Sequence, residues 1–172
     1  MLELGKADSA GTGAGVVPVL RDGTVIAALH GRASKQPGTA TIGAQTCVLE
    51  QSKGELTARL AGESDGTARL RACRTSVWRS AWTVELEGTP VEVEKVSLWT
   101  GTHRYLTGGR VIAETGSTGG WTPRPTLTAE PDLPVHHQVF LLWLETVLRP
   151  TGDGGVAIGD GGSCDGGGRG GD

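Results

Sequence analysis

The pentapeptide Gly62-Glu63-Ser64-Asp65-Gly66 has the spacing of a serine nucleophile motif. That motif works because a strained turn between a strand and a helix exposes the hydroxyl. Here Thr67-Ala68-Arg69-Leu70-Arg71-Ala72 follows and alternates like a strand, so the required helix is missing. Ser64 therefore reads as a hairpin-turn residue. Asp132 and the pair His136-His137 lie downstream, in the chain order an esterase uses. A small hydrolase-type enzyme using Ser64 or His137 is the alternative this leaves; no catalytic residue is assigned.

His136 and His137 could instead serve a metal. Neighbours on a helix point about 100° apart, so a shared ion is not expected. His30, His103 and Cys47 are further ligand types, but no spacing ties them together. Gly11-Thr12-Gly13-Ala14-Gly15 lacks the Gly-Lys-Ser/Thr ending of a phosphate loop. The Gly-Asp pairs after Pro150 lack the tandem repeats of a calcium-binding β-helix. The expectation is no metal and no cofactor.

Arg69, Arg71, Arg74 and Arg79 form the densest basic cluster, with Trp78 and Trp82 nearby. Arginines beside aromatic rings can hold phosphate or sit at a membrane interface. The same spacing also puts Arg69 and Arg71 on the solvent face of a strand, with Glu85 and Glu87 facing them across a hairpin. Gly119-Gly120-Trp121-Thr122-Pro123-Arg124-Pro125 reads as a rigid loop that could offer Trp121 and Arg124 to a partner, although a tryptophan plugging a barrel end is the commoner use. The candidate anion- or partner-binding residues are thus Arg69, Arg71, Arg74, Arg79, Trp121 and Arg124.

Elements must carry these residues. Leu56, Ala58 and Leu60 alternate with polar neighbours, as do Leu70 and Ala72, and Trp82, Val84 and Leu86. Period-two alternation marks half-buried antiparallel strands. Asp22-Gly23, Lys53-Gly54, Asp65-Gly66, Glu87-Gly88 and Gly108-Gly109 sit where hairpins reverse. Val91 and Val93 fall on one face and Val96 and Leu98 on the other, which predicts a bulge near Glu94-Lys95.

After Pro131-Asp132-Leu133-Pro134 the pattern changes to a helix over about 134–149, with Asp132 as the cap and Pro150 as the stop. Val135, Val139, Leu142 and Trp143 cover one side. Phe140 and Val147 cover a second, and Leu141, Leu144 and Leu148 a third. A helix apolar on nearly every side is surrounded by protein.

The chain of 172 residues suits one domain, and its net charge of −3 is not the footprint of a nucleic-acid binder. Its longest apolar run, Val139 to Leu144, is too short to span a bilayer, and Met1-Leu2-Glu3-Leu4-Gly5-Lys6-Ala7-Asp8 reads as neither a signal peptide nor a transit peptide. Cys47, Cys73 and Cys164 are odd in number and widely spaced, which points to a reducing, cytoplasmic setting. Of 29 glycines, 11 follow Pro150, so residues 151–172 read as a disordered tail. Residues 1–15 read as a flexible leader and 16–150 as the folded domain.

The stretch Pro125-Thr126-Leu127-Thr128-Ala129-Glu130-Pro131-Asp132-Leu133-Pro134, with the helix to Leu148, resembles the end of a tubby C-terminal-like domain. The phospholipid scramblases and plant LURP-one-related proteins are its most similar branches. The resemblance implies a twelve-stranded β-barrel threaded by a hydrophobic C-terminal helix. The family's phosphoinositide-binding, calcium-binding and palmitoylated positions fall on no residue here, so none is carried over.

The expected fold is an all-β antiparallel barrel around one C-terminal helix; a pleckstrin-like barrel capped by that helix is the alternative. The expected function is a non-enzymatic intracellular binding or scaffold domain, touching an anionic lipid headgroup or a protein partner.

Overall fold

The computed structural model describes residues 1–7, 9–13, 15–30, 38–52, 54–64, 68–76, 81–96, 101–119 and 123–148. Twelve strands run in chain order: β1 (Leu2–Leu4), β2 (Val16–Arg21), β3 (Thr24–His30), β4 (Gly38–Ile42), β5 (Gln45–Ser52), β6 (Glu55–Leu60), β7 (Leu70–Ser76), β8 (Ala81–Leu86), β9 (Thr89–Lys95), β10 (His103–Thr107), β11 (Arg110–Thr118) and β12 (Arg124–Ala129). One helix, α1 (Val135–Leu148), follows. Each strand pairs antiparallel with its neighbours in sequence, and β1 closes the ring on β12. The result is an up-and-down closed barrel without a free strand edge.

Alternation along the strands decides what faces inward. In β8, Trp82, Val84 and Leu86 are buried while Thr83 and Glu85 are exposed. Leu56 and Ala58 of β6, and Leu70 and Ala72 of β7, point the same way. Tight turns link the strands. At Glu87-Gly88 both residues have positive φ, 49° and 85°, which is the primed turn whose twist matches its flanking strands.

Eight strands already give a barrel whose own side chains fill the interior, and diameter grows with strand number. Twelve leave a lumen, and a helix about 10–12 Å across fits it. Residues 137–145 of α1 are buried without a break. The helix lies against β1 and β12 on one side and β7 on the other, and β7 stands half-way round the ring from β1. Val139, Phe140, Leu141, Leu142 and Leu144 join the barrel's inward residues in one core. The helix therefore threads the barrel, and the capped pleckstrin-like alternative is set aside.

Three sequence expectations need correction. Residues 2–4 are not part of a flexible leader: Leu2 and Leu4 are buried and β1 completes the barrel. The helix starts at Val135, with the Pro134 carbonyl accepting the first helical bond from the Gln138 N–H, so Pro134 and not Asp132 holds the cap position. No register shift occurs in β9. The strand ends at Lys95 and Val96 turns outward, which removes the need for a bulge. Asp65-Gly66 and the tail 149–172 lie outside the described residues, as does Leu98.

Candidate functional site

The helix start meets the tip of the β8–β9 hairpin at one mouth of the barrel. Glu87, first residue of the turn, is held there by its N–H bond to the Arg69 carbonyl, 2.7 Å. His136 and His137, in the first turn of α1, both reach it. His136 Nε2 lies 3.5 Å from Glu87 Oε1, and His137 Nε2 lies 3.3 Å from Oε2. The two imidazoles meet edge to face with centroids 4.4 Å apart. These donor atoms all lie within 4.8 Å of one another. Adjacent helical positions do diverge, yet the reach of the two rings onto one carboxylate brings their nitrogens together. The spacing argument against a shared ion is corrected on this point.

Charge at this mouth is shaped by burial. The His137 side chain is 9 % exposed, and its Nε2 meets Glu87 as an ion-pair contact at 3.3 Å with no well-formed hydrogen bond. Burial, then the neighbouring His136, lower the His137 pKa, so its neutral form is favoured despite Glu87. Burial works against the ionised Glu87 carboxylate, but the two histidines outweigh it and hold its pKa below the usual range. The positive end of the helix also disfavours imidazolium. Beside the cluster lies an open depression of about 230 Å³, lined by Leu86, Val91, Ile112, Glu130, Asp132 and His137 among others.

The basic cluster has a different fate. Arg69 binds Glu63 through Nε at 2.8 Å and reaches Glu87 at 3.5 Å. That Arg69 hydrogen bond lowers the Glu63 pKa and raises that of Arg69. Arg71 pairs with Glu55 at 3.1 Å, although Glu85 stands opposite it in register. Arg59 pairs with Glu50 at 3.7 Å. Arg74 is half-buried near the end of β7, and Arg124 half-buried at the start of β12. Arg79 and Trp121 lie outside the described residues. The strand pattern had put Glu87 across from Arg69, and the two do meet.

Ser64 is exposed after a turn and lines neither that depression nor a second one of about 220 Å³ around Arg59 and Arg71. Glu63, its neighbour, does structural work: its Oε2 accepts the Leu60 N–H at 3.1 Å.

A polar group inside the barrel was missed from sequence. Glu145 of α1 is fully buried. Tyr105 donates to its Oε1 at 2.8 Å, and His103 Nδ1 bonds the same oxygen at 3.0 Å. Thr115 clasps the His103 backbone, accepting its N–H at 2.8 Å and donating to its C=O at 3.2 Å. A lone glutamate in so apolar a helix was the available signal. Its partners come from strands 40 or more residues away, which no local pattern reveals.

In comparisons with protein-family models, curated proteins and solved structures, none matched this chain. Among the described residues no helix is long and apolar enough to cross a membrane.

Proposed function

We propose that this chain is a non-enzymatic binding or scaffold domain that works through its outer surface. The observation that carries the reading is the filled lumen: α1 occupies the space where a barrel of this size would hold a ligand. The reading includes kinship with the tubby C-terminal-like barrels, supported by the twelve closed strands and the threaded helix. A reducing, cytoplasmic setting goes with it, supported by the buried thiol of Cys47, which forms no disulfide.

A protein partner fits the surface better than an anionic membrane. Arg59, Arg69, Arg71, Arg104 and Arg110 each have a carboxylate partner, which neutralises the field a headgroup would need. Co-sedimentation of the full chain with neutral and anionic vesicles across a salt series tests this. The expected result is no salt-sensitive retention. Binding to anionic vesicles alone, lost in an Arg69→Gln/Arg71→Gln variant, would replace the protein partner with a lipid surface.

One observation favours a second reading. His137 does line a depression beside Glu130 and Asp132, as a hydrolase would require. Ester turnover that disappears in His137→Gln while the fold persists would overturn the non-enzymatic reading.

A further inference from the structure

We propose that Glu87, His136 and His137 bind a single divalent transition-metal ion of borderline softness, such as Zn²⁺, Co²⁺ or Ni²⁺. The inference stands on its own geometry and does not depend on the scaffold reading.

Donor spacing is the first argument. Zinc bonds of about 2.0–2.1 Å at tetrahedral angles place donor atoms about 3.4 Å apart. His136 Nε2 lies 3.5 Å from Glu87 Oε1 and His137 Nε2 lies 3.3 Å from Glu87 Oε2, so each imidazole stands at that spacing from one oxygen of the carboxylate. One donor atom from each of the three residues lies within 4.8 Å of the others, and the His136 ring that must close on the ion is only half-buried. This is the only such cluster among the described residues.

The orphaned His137 nitrogen is the second. A buried polar atom without a partner is costly, and most buried polar atoms in folded proteins have one. His137 Nε2 is buried and makes no hydrogen bond, and it stands 3.3 Å from Glu87 Oε2. An ion seated there would satisfy it. Two imidazoles and a carboxylate favour zinc-like ions over calcium or magnesium, which take oxygen donors.

Electrostatics set the remaining conditions. The helix N-terminus repels a cation, and the Glu87 carboxylate offsets that repulsion. Arg69 approaches Glu87 Oε1, the oxygen that His136 faces, at 3.5 Å, but it holds Glu63 more closely at 2.6 Å, and Oε2 faces His137. Three protein donors leave a coordination position facing solvent. The ion would clip the β8–β9 hairpin to the start of the threading helix.

The test is a competition titration of the full, untagged chain against a chromophoric chelator, with Zn²⁺ alone and then Co²⁺ alone. A Cys164→Ser background keeps the tail thiol from contributing. One equivalent should bind per chain, and Co²⁺ should give the intense visible bands of a four-coordinate ion. Affinity should fall at least about tenfold in Glu87→Gln and in His136→Gln. His136 is 28 % exposed, so its substitution leaves the core intact, and circular dichroism verifies this. Absence of stoichiometric binding by the folded chain, or binding undiminished in either variant, would overturn the proposal.

Discussion

At the scale of single residues, burial decides reactivity. Cys47 sits on the inward face of β5 with 6 % exposure, and burial, followed by the charge of Glu63, raises its thiol pKa. A raised folded pKa means the folded state keeps its proton longer than the unfolded chain, whose thiol titrates near 8.5. The stabilisation is therefore complete below that value and is lost as pH rises through the folded pKa. Two outcomes are expected. Iodoacetamide should label Cys47 slowly in the native protein at neutral pH and promptly after denaturation. The melting temperature should decline in alkaline buffer, and less steeply in Cys47→Ala. Rapid native labelling at Cys47 would contradict its placement inside the barrel.

At the scale of elements, the threading helix carries both the apolar plug and its one buried carboxylate. Apolar contact is permissive about register, because one leucine replaces another with little penalty. A glutamate hydrogen-bonded to Tyr105 and His103 is not permissive: a slide by one turn would leave all three groups without partners. Glu145 thus sets how deep the helix sits. Glu145→Ala should destabilise the fold by about 2–4 kcal/mol, measured by urea denaturation. Combining Glu145→Leu with Tyr105→Phe and His103→Leu should recover most of that loss, because the three polar groups are removed together. Strictly additive losses in that series would show that the three residues do not act as one unit.

For the whole molecule, closure is the governing fact. A three-residue strand is short, yet β1 bridges β2 and β12 and so removes two open edges. Leu2 is 1 % exposed in the core beside α1. Leu2→Ala should therefore reduce stability by about 2–5 kcal/mol, a core-sized loss at a chain terminus. A change below about 0.5 kcal/mol in a denaturant titration would mean that the barrel holds together without β1.

Much of this architecture was legible because its causes are local. The alternation in β6, β7 and β8 reflects a fixed two-residue period, and the turn at Glu87-Gly88 follows from the backbone freedom of glycine. The all-round apolar character of residues 139–148 announced a surrounded helix. What sequence left undetermined was whatever depends on meeting at a distance. Leu2-Glu3-Leu4 is too short to display a period, so its role appeared only when β12 arrived beside it. The convergence of His136 and His137 on Glu87 needs the hairpin tip and the helix start at the same mouth. The Glu145 network needs His103 and Tyr105 of β10 to reach the last buried residue of the helix. Local periodicity and turn chemistry are properties of neighbours along the chain, and the sequence determined those by itself. Which carboxylate meets which histidine depends on barrel closure and helix depth, and these only the tertiary structure decided.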